Sequence, residues 1–218
     1  MKNLINRNVN DVFDEIIRKR RSIRSFKSIV PSKEIIKEII TAGAYAPYGA
    51  LAITDISQYR RFFVFTKNHG YLDRINTYIK EAAKANLEEL EKDLKKEPDL
   101  KEESESYKRR LESFAMNGFI GLSEVPCLII IAEKRGLPSV ERQSLAHVLE
   151  NMWLKVAAMD MGMHLFSIIE SLSSSKEFSS LLKLNHGEYT YTGCVIGFPL
   201  TKSEKKEDIH VDKSISWY

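Results

Sequence analysis

The stretch ERQSLAHVLENMWLKVAAMDM, residues 141–161, carries the strongest helical signal in the chain. Its apolar side chains recur at helical spacing and predict one broad buried face. That face consists of Leu145, Val148, Leu149, Met152, Val156 and Met159, widened by Trp153 and Ala157. Gly162 follows and indicates where the helix ends. We therefore expect a long helix that packs against other elements along most of its length.

Three apolar, β-prone segments predict the strands of a sheet. They are RRFFVFT (60–66), PCLIIIAEK (126–134) and YTYTGCVIGFP (189–199). The second segment is apolar almost throughout, which is typical of a central strand that is covered on both faces.

Further helices are expected on both sides of the first strand. Residues 10–20 have an apolar stripe with Asn10 as a possible N-cap, and Ser32 can cap the helix that follows. From Tyr71 to about Ser113 the chain is rich in Glu and Lys at helical spacing, with a break near Pro98. This composition predicts long solvated helices.

The composition predicts one α+β domain over residues 1–218, with a helical and partly mobile excursion at 71–115. The net charge of +3, from 33 basic and 30 acidic residues, is too small to favour nucleic acid as a partner. The N-terminus lacks the apolar run of a signal peptide, and no segment is apolar enough to span a membrane. We therefore expect a cytoplasmic protein without a membrane partner.

Two further features have simple interpretations. Cys127 and Cys194 each lie within an apolar run, which favours buried thiols over a disulfide or redox pair. The C-terminal tail, residues 200–218, ends in Trp217 and Tyr218. These aromatic side chains are costly to leave in water, so we expect the tail to pack either on its own chain or on a partner subunit.

A basic cluster, RKRRSIRSF (18–26), precedes the second predicted helix. Its guanidinium groups and its serine hydroxyl are the donors that a phosphate monoester requires. The same arginines at a helix C-terminus could also be a solvated patch that complements the helix dipole. Lysines that follow the last strand could converge on the same phosphate or belong to a solvated tail; they are Lys202, Lys205 and Lys206.

Other common sites are missing from the sequence. It contains no G-x-x-x-x-G-K-[ST] phosphate loop, no G-x-G-x-x-G dinucleotide motif and no G-x-S-x-G nucleophile elbow. The five histidines are scattered without metal-ligand spacing, so no metal site is predicted. His147 is expected to be structural.

Five segments, in the same order, resemble the nitroreductase family of FMN-dependent oxidoreductases. They are RRSIRSF (20–26), VPSKEIIKEIITAGAYAP (30–47), RRFFVF (60–65), SLAHVLENMWLKVAAMDMGM (144–163) and GCVIGFP (193–199). They are similar to that family's arginine-rich opening, its next helix, the following strand, the central helix and the closing strand. The resemblance covers nearly the whole chain and implies an α+β fold with a mainly antiparallel central sheet flanked by helices.

The resemblance also implies an intertwined homodimer in which each C-terminal tail wraps the partner and two FMN molecules lie at the subunit interface. The residues that would hold the FMN phosphate and ribityl chain are Arg20, Arg21, Ser22 and Arg24, helped by Lys205 or Lys206. Pro47, Tyr48 and Gly49 would lie along the flavin. Ile169 and Glu170 would occupy the loop that offers a backbone N–H to flavin N5.

The implied activity is hydride transfer from NADH or NADPH through the flavin to a nitroaromatic, quinone or similar small acceptor, in a ping-pong order. The resemblance assigns no side chain as general acid or base and no metal ligand. Such an order needs no separate dinucleotide-binding domain, which agrees with the missing motif.

One segment, APYGALAITDISQYRRF (46–62), departs from the family pattern. Tyr48 stands where the family has a serine, the family's asparagine is missing, and Tyr59 and Arg60 replace Pro-Trp. Since this loop borders flavin and substrate, two alternatives stay open. One is a specialised flavin enzyme of the same fold, of the dehalogenase or flavin-fragmenting type. The other is an FMN-binding electron carrier without turnover of its own.

Overall fold

Four strands form the central sheet in the computed structural model, which describes residues 8–50, 53, 55–201 and 209–218. The strands are β1 (Arg60–Thr66), β2 (Cys127–Lys134), β3 (Gly162–Leu165) and β4 (Tyr189–Gly197). Their order across the sheet is β1-β2-β4-β3, and every neighbouring pair is antiparallel. The continuously apolar β2 therefore lies inside the sheet, as its sequence predicted.

Seven α-helices flank the sheet within the described residues. They are α1 (Val9–Lys19), α2 (Lys33–Ala44), α3 (Ile56–Tyr59), α4 (Tyr71–Lys96), α5 (Lys101–Asn117), α6 (Glu141–Ala158) and α7 (Lys176–Leu181). A 3-10 segment, Ser167–Ser174, connects β3 to α7. None of these helices is both long and apolar enough to cross a membrane. The predicted α+β class with a mainly antiparallel sheet is confirmed.

Each face of the sheet is covered by its own helical layer. Ile129 and Ile131 of β2 face α2 and α6. The long helix buries most of the side chains predicted for its broad face, but Trp153 is half-buried, and Met159 is half-buried and lies beyond the end of α6. Leu128 and Ile130 point the other way, toward α4, α5 and Ser167–Ser174. All four side chains are fully buried, and burying each one stabilises the fold by about 1.5–3 kcal/mol.

The helix ends differ from the sequence-based expectation in two places. Asn8 rather than Asn10 caps α1, because the Asn8 side chain accepts a hydrogen bond from the Asn10 backbone N–H at 3.0 Å. The long helix α6 ends at Ala158 rather than at residue 161, and Asp160 then adopts a left-handed φ of 56° that turns the chain into β3. Ser32 caps α2 as expected.

Strand β3 was not predicted from the sequence. It has four residues, too few for a period-two pattern to stand out, and its first residue is Gly162. It pairs only with β4 in the regular sheet, with Met163 opposite Ile196. This short strand positions the candidate site.

The two cysteines are buried free thiols, as predicted. Cys127 and Cys194 are both 0% exposed. Burial raises the pKa of the Cys127 thiol to about 12, and it also raises the pKa of Cys194, with a smaller contribution from Cys127. Both thiols are therefore protonated and inert at neutral pH.

Candidate functional site

The basic segment that follows α1 packs against α6. The Arg20 guanidinium carbon lies 4.7 Å from the centroid of the Trp153 ring, and the Arg20 Nε lies 3.7 Å from a Glu150 carboxylate oxygen. The Trp153 indole N–H donates to the Arg21 carbonyl at 2.9 Å. One aromatic side chain thus contacts two consecutive residues and fixes where the segment leaves the helix.

The Arg21 side chain turns back onto the end of α1. Its Nη1 donates to the backbone carbonyls of Arg18 and Arg20, each at 2.7 Å. These carbonyls lie at a helix C-terminus, where positive charge complements the helix dipole. Arg21 also lines a cavity of about 590 Å³ together with Lys19 and Lys27. Within the chain, the Arg21 side chain therefore caps the C-terminus of α1.

Ser22 and Arg24 are brought to the edge of the sheet by β3. Ser22 forms a parallel bridge with Met163, and the Ile23 N–H donates to the Met163 carbonyl at 3.0 Å. Gly162 permits this approach, because a Cβ added there would lie 2.7 Å from the Ile23 Cβ. Ile23 packs on the strand while Ser22 and Arg24 are exposed to solvent. The segment therefore presents its hydroxyl and one guanidinium outward.

The next residue of β3, His164, lies close to Arg24. Burial lowers the pKa of the His164 imidazole, and the positive charge of Arg24 lowers it further. His164 is therefore neutral at pH 7. Within the described part of the chain, no acidic side chain forms an ion pair with Arg24, so its charge is available for an anion.

The chain runs from β3 directly into the 3-10 segment that carries Ile169 and Glu170. Ile169 is fully buried, its N–H donates to the Phe166 carbonyl at 3.2 Å, and its side chain fills the space beside Gly193. The Glu170 carboxylate lies at the surface, 2.6 Å from the Arg142 Nε. Ile169 anchors the segment. The basic segment borders β3 at Met163, and Glu170 follows the end of this strand by five residues.

The turn at 47–49 lies beside the N-terminal end of α6. The Ser144 hydroxyl donates to the Pro47 carbonyl at 2.8 Å. The Tyr48 ring stacks on the Tyr59 ring, with centroids 4.2 Å apart and planes 8° apart. Two residues that depart from the family pattern therefore contact each other.

Within one chain, this turn and the basic segment lie at opposite ends of α6. The turn is bonded to Ser144 and the basic segment to Trp153, nine residues and about 14 Å further along the helix axis. Gly49 is exposed, and the Tyr48 hydroxyl donates to the Lys134 carbonyl at 3.1 Å. Glu170 pairs with Arg142 in the first turn of α6 and so lies toward the same end of that helix as the turn. Within one protomer, residues 20–24 and 169–170 are therefore linked through β3, and the turn lies at the far end of α6 from the basic segment.

A buried ion pair, which the sequence analysis did not predict, holds the turn at 47–49 from its buried side. Arg60 is 2% exposed and Glu133 is 0% exposed, and the Arg60 Nη2 lies 2.7 Å from the Glu133 Oε2. The same guanidinium donates to the Ala46 carbonyl at 3.0 Å, to the Pro47 carbonyl at 3.3 Å and to the Ser144 hydroxyl at 2.9 Å. One side chain thus binds β2, the turn and α6.

Burial raises the pKa of the Glu133 carboxyl, while the Ser144 hydroxyl and the Arg60 charge oppose this rise. The Glu133 Oε1 has no hydrogen-bond partner among the described residues. Arg60 and Glu133 are directly opposite each other in the β1–β2 register. Opposite charges at the start of one apolar strand and the end of the next are the signal that could have revealed this pair.

The donors near β3 fit the chemistry of an FMN phosphate and its polyol chain. Arg20 and Arg24 offer planar guanidinium groups, and Ser22 offers a hydroxyl between them. Lys205 and Lys206, which were also predicted to contact the phosphate, lie outside the described residues. Among the residues that are described, no group of three or more His, Cys, Asp or Glu side chains could hold a metal ion.

Solved structures share this fold. A nitroreductase with bound FMN from Bacteroides fragilis NCTC 9343 is 18% identical, with a TM-score of 0.67 over 94% of this chain and 98% of that one. A BluB-like flavoprotein from Clostridium difficile 630 is 20% identical, with a TM-score of 0.66 over 98% and 100%. A nitroreductase with bound FMN from Desulfitobacterium hafniense DCB-2 is 18% identical, with a TM-score of 0.62 over 95% and 98%.

These identities establish similarity of fold alone. Among curated proteins, none matches the chain significantly. The sequence model of the Nitroreductase family matches residues 17–198, which include the basic segment, the whole sheet and the 3-10 segment. The chain therefore belongs to the nitroreductase family.

Proposed function

We propose that the protein is an FMN-dependent oxidoreductase that passes hydride from NADH or NADPH, through flavin N5, to a nitroaromatic, quinone or similar acceptor in a ping-pong order. The observation that carries this proposal is the bridge between Ser22 and Met163. This bridge places the Ser22 hydroxyl, and Arg24, which forms no ion pair among the described residues, beside the short strand that leads into the 3-10 segment. Membership of the nitroreductase family supports the same reaction class.

The chain's own residues would bind and orient the cofactor. Arg20 and Arg24 would bind the phosphate and Ser22 the ribityl chain, while Arg21 holds the backbone of the segment against α1. Lys205 or Lys206 would add positive charge near the phosphate. Such charge-assisted contacts are about twice as strong as neutral hydrogen bonds and they fix the direction in which the ring extends.

A bound FMN would supply the two-electron chemistry that connects the nicotinamide to the acceptor. The buried Ile169 holds the 3-10 segment rigid, so that backbone groups at 169–170 keep a fixed distance to the ring. The turn at 47–49 would cover the ring from the partner subunit and exclude water. No side chain is assigned as general acid or base, and water would supply the proton.

We propose that the functional unit is a homodimer located in the cytoplasm. The turn and the basic segment lie at opposite ends of α6, and in a dimer the partner's turn would cover the flavin that the basic segment holds. Apolar side chains are also left in solvent on α1, where Phe13 is 50% exposed, and in the tail, where Trp217 is 89% exposed. If the tail wrapped around a partner subunit, these apolar surfaces would be buried, and the free-energy cost of exposing them to water would be removed.

A specialised flavin enzyme is the second candidate, and the rigid turn favours it. Tyr48 is stacked on Tyr59 and the turn is bonded to Arg60, so this wall of the pocket would adapt poorly to acceptors of different shapes. Such a pocket would favour one acceptor over a broad range.

Steady-state oxidation of NADH and NADPH with a panel of quinones and nitroaromatics tests the proposal. Turnover of many acceptors supports the general reductase, and turnover of one or two supports the specialised enzyme. Bound FMN without turnover of any acceptor would contradict both and leave the electron-carrier alternative.

A further inference from the structure

A second cavity, of about 540 Å³, lies beside Ser167–Ser174 and is lined by three arginines from separate parts of the chain. Arg110 comes from α5, Arg135 follows β2, and Arg142 lies in the first turn of α6. We refer to this cavity as the arginine pocket. It is distinct from the 590 Å³ cavity beside Arg21, because the two share no lining residue.

The arginine pocket has an excess of positive charge. Its one acidic lining residue is Glu170, which pairs with Arg142 at 2.6 Å. Neither Arg110 nor Arg135 forms an ion pair with an acidic side chain in the described part of the chain. The Arg135 charge interacts with the nearby Glu141 carboxylate, whose pKa it helps to lower. The positive charge of Arg110 and part of that of Arg135 therefore lie at the wall of a concave site, where they attract an anion more strongly than on a flat surface.

The remaining walls suit a planar ligand that carries an anionic group. Tyr107, Leu111 and Phe114 of α5 supply apolar and aromatic surface, and the Arg110 guanidinium lies 5.8 Å from the Tyr107 ring centroid. Hydroxyl groups line the opposite side, contributed by Ser167, Ser171, Ser173 and Ser174. The wall is thus about half polar and half apolar, and its aromatic side chains can pack on a ring while its polar groups bind an anionic substituent.

The arginine pocket also borders the proposed reacting centre. Glu170 lines it and belongs to the 3-10 segment that the proposed function places beside flavin N5. We infer that the arginine pocket binds the carboxylate or phosphate of the reactant that exchanges hydride with the flavin, an inference that rests on the proposed function. The group belongs either to a planar anionic acceptor or to the nicotinamide nucleotide.

A matched pair of acceptors tests the acceptor as the source of this group. Nitrobenzene and 4-nitrobenzoate differ by one carboxylate, so the ratio of their kcat/KM values isolates its effect. Arg110→Gln and Arg135→Gln are each expected to lower the ratio of 4-nitrobenzoate to nitrobenzene by about tenfold, since each removes one charge-assisted contact. Arg109→Gln is the control, because Arg109 pairs with the exposed Glu105 and does not line the pocket.

The reductive half-reaction, measured alone by rapid mixing without oxygen, tests the nucleotide as the source. If the two variants weaken the apparent affinity for NADPH more than for NADH, the pocket binds the phosphate that distinguishes these nucleotides. If they weaken both equally, it binds the shared pyrophosphate. Variants that match Arg109→Gln in this assay and with both acceptors would overturn the inference.

Calorimetric titration separates this inference from the proposed function, because it needs no turnover. Binding of 4-nitrobenzoate to the FMN-loaded protein is expected to weaken about tenfold in Arg135→Gln but not in Arg109→Gln. If this holds while NADH and NADPH fail to reduce the flavin, the pocket is an anion site and the proposed function is wrong. If the flavin is reduced and reoxidised but neither 4-nitrobenzoate binding nor the apparent affinity for NADH and NADPH responds to Arg110→Gln or Arg135→Gln, the inference is wrong and the function stands.

Discussion

The two halves of the candidate site are built in opposite ways. The basic half, residues 20–24, lies on the surface and is held by backbone bonds to Met163, by one aromatic contact and by the close approach to Gly162. The turn at 47–49 is held from inside by a buried charge. Changes to the exposed side chains of the first half should therefore affect ligand binding, whereas changes beneath the second should affect folding.

The largest expected effect is on stability, from Arg60→Met. This change leaves Glu133 buried without its counter-ion and should lower the free energy of unfolding by about 3–5 kcal/mol. Urea unfolding measures it, with the exposed neighbour Arg61→Met as the control, expected to cost no more than about 0.5 kcal/mol. The double change Arg60→Met with Glu133→Leu should regain most of the loss. Equal effects at Arg60 and Arg61 would show that the buried pair does not hold the turn.

Gly162→Ala should break the contact between the basic segment and β3. The added Cβ would meet the Ile23 Cβ at 2.7 Å, so we expect about 1–3 kcal/mol of destabilisation together with weaker FMN binding. Gly70→Ala is the control, since no atom lies within 4 Å of a Cβ added there. Thermal unfolding and FMN titration measure the two effects. Ile23→Gly in the same chain removes the Cβ that clashes and should relieve the contact, whereas Ile23→Ala keeps it. An unchanged FMN affinity in Gly162→Ala would contradict the role given to β3.

Arg24→Gln should weaken FMN binding by about tenfold, because it removes one charge-assisted contact, and leave the unfolding free energy nearly unchanged. Fluorescence titration with FMN measures the affinity and urea unfolding the stability. Arg18→Gln is a matched control from the same basic cluster, exposed and not assigned to the cofactor. A loss of affinity that is equal in both variants would mean that the cluster acts only through its total charge.

The smallest expected effect is on His164. Burial and then the Arg24 charge lower the pKa of its imidazole, so Arg24→Gln should raise the pKa while burial keeps it below its usual value. Proton NMR over a pH series measures this, with Arg18→Gln again as the control. An unchanged pKa in Arg24→Gln would mean that Arg24 does not lie beside β3.

The elements with a long hydrophobic period were predictable from the sequence. The apolar face of α6 and the continuous apolar run of β2 each repeat over enough residues to stand out from neighbouring segments. The cluster of arginines and serine at residues 20–24 was also recognisable, because its hydrogen-bond donors are close together in the sequence. Local sequence patterns therefore predicted that β2 is an inner strand of the sheet, and they identified residues 20–24 as one half of the candidate site.

The features that were missed depend on contacts between distant residues. Arg60 and Glu133 are 73 positions apart in the sequence, and arginine and glutamate are residue types that usually lie at the surface. Strand β3 is too short for periodicity, and the arginines of the arginine pocket come from α5, the end of β2 and the start of α6, which only the folded chain brings to one cavity. Tertiary structure alone creates these arrangements.

The visible spectrum of the purified protein, recorded before and after addition of NADH or NADPH without oxygen, tests the central claim most directly. Our account predicts the two absorption bands of an oxidised flavin, present on purification or after reconstitution with FMN, and their bleaching when the nucleotide is added. A colourless protein that cannot be reconstituted with FMN would contradict it and would return the basic segment to a solvated patch.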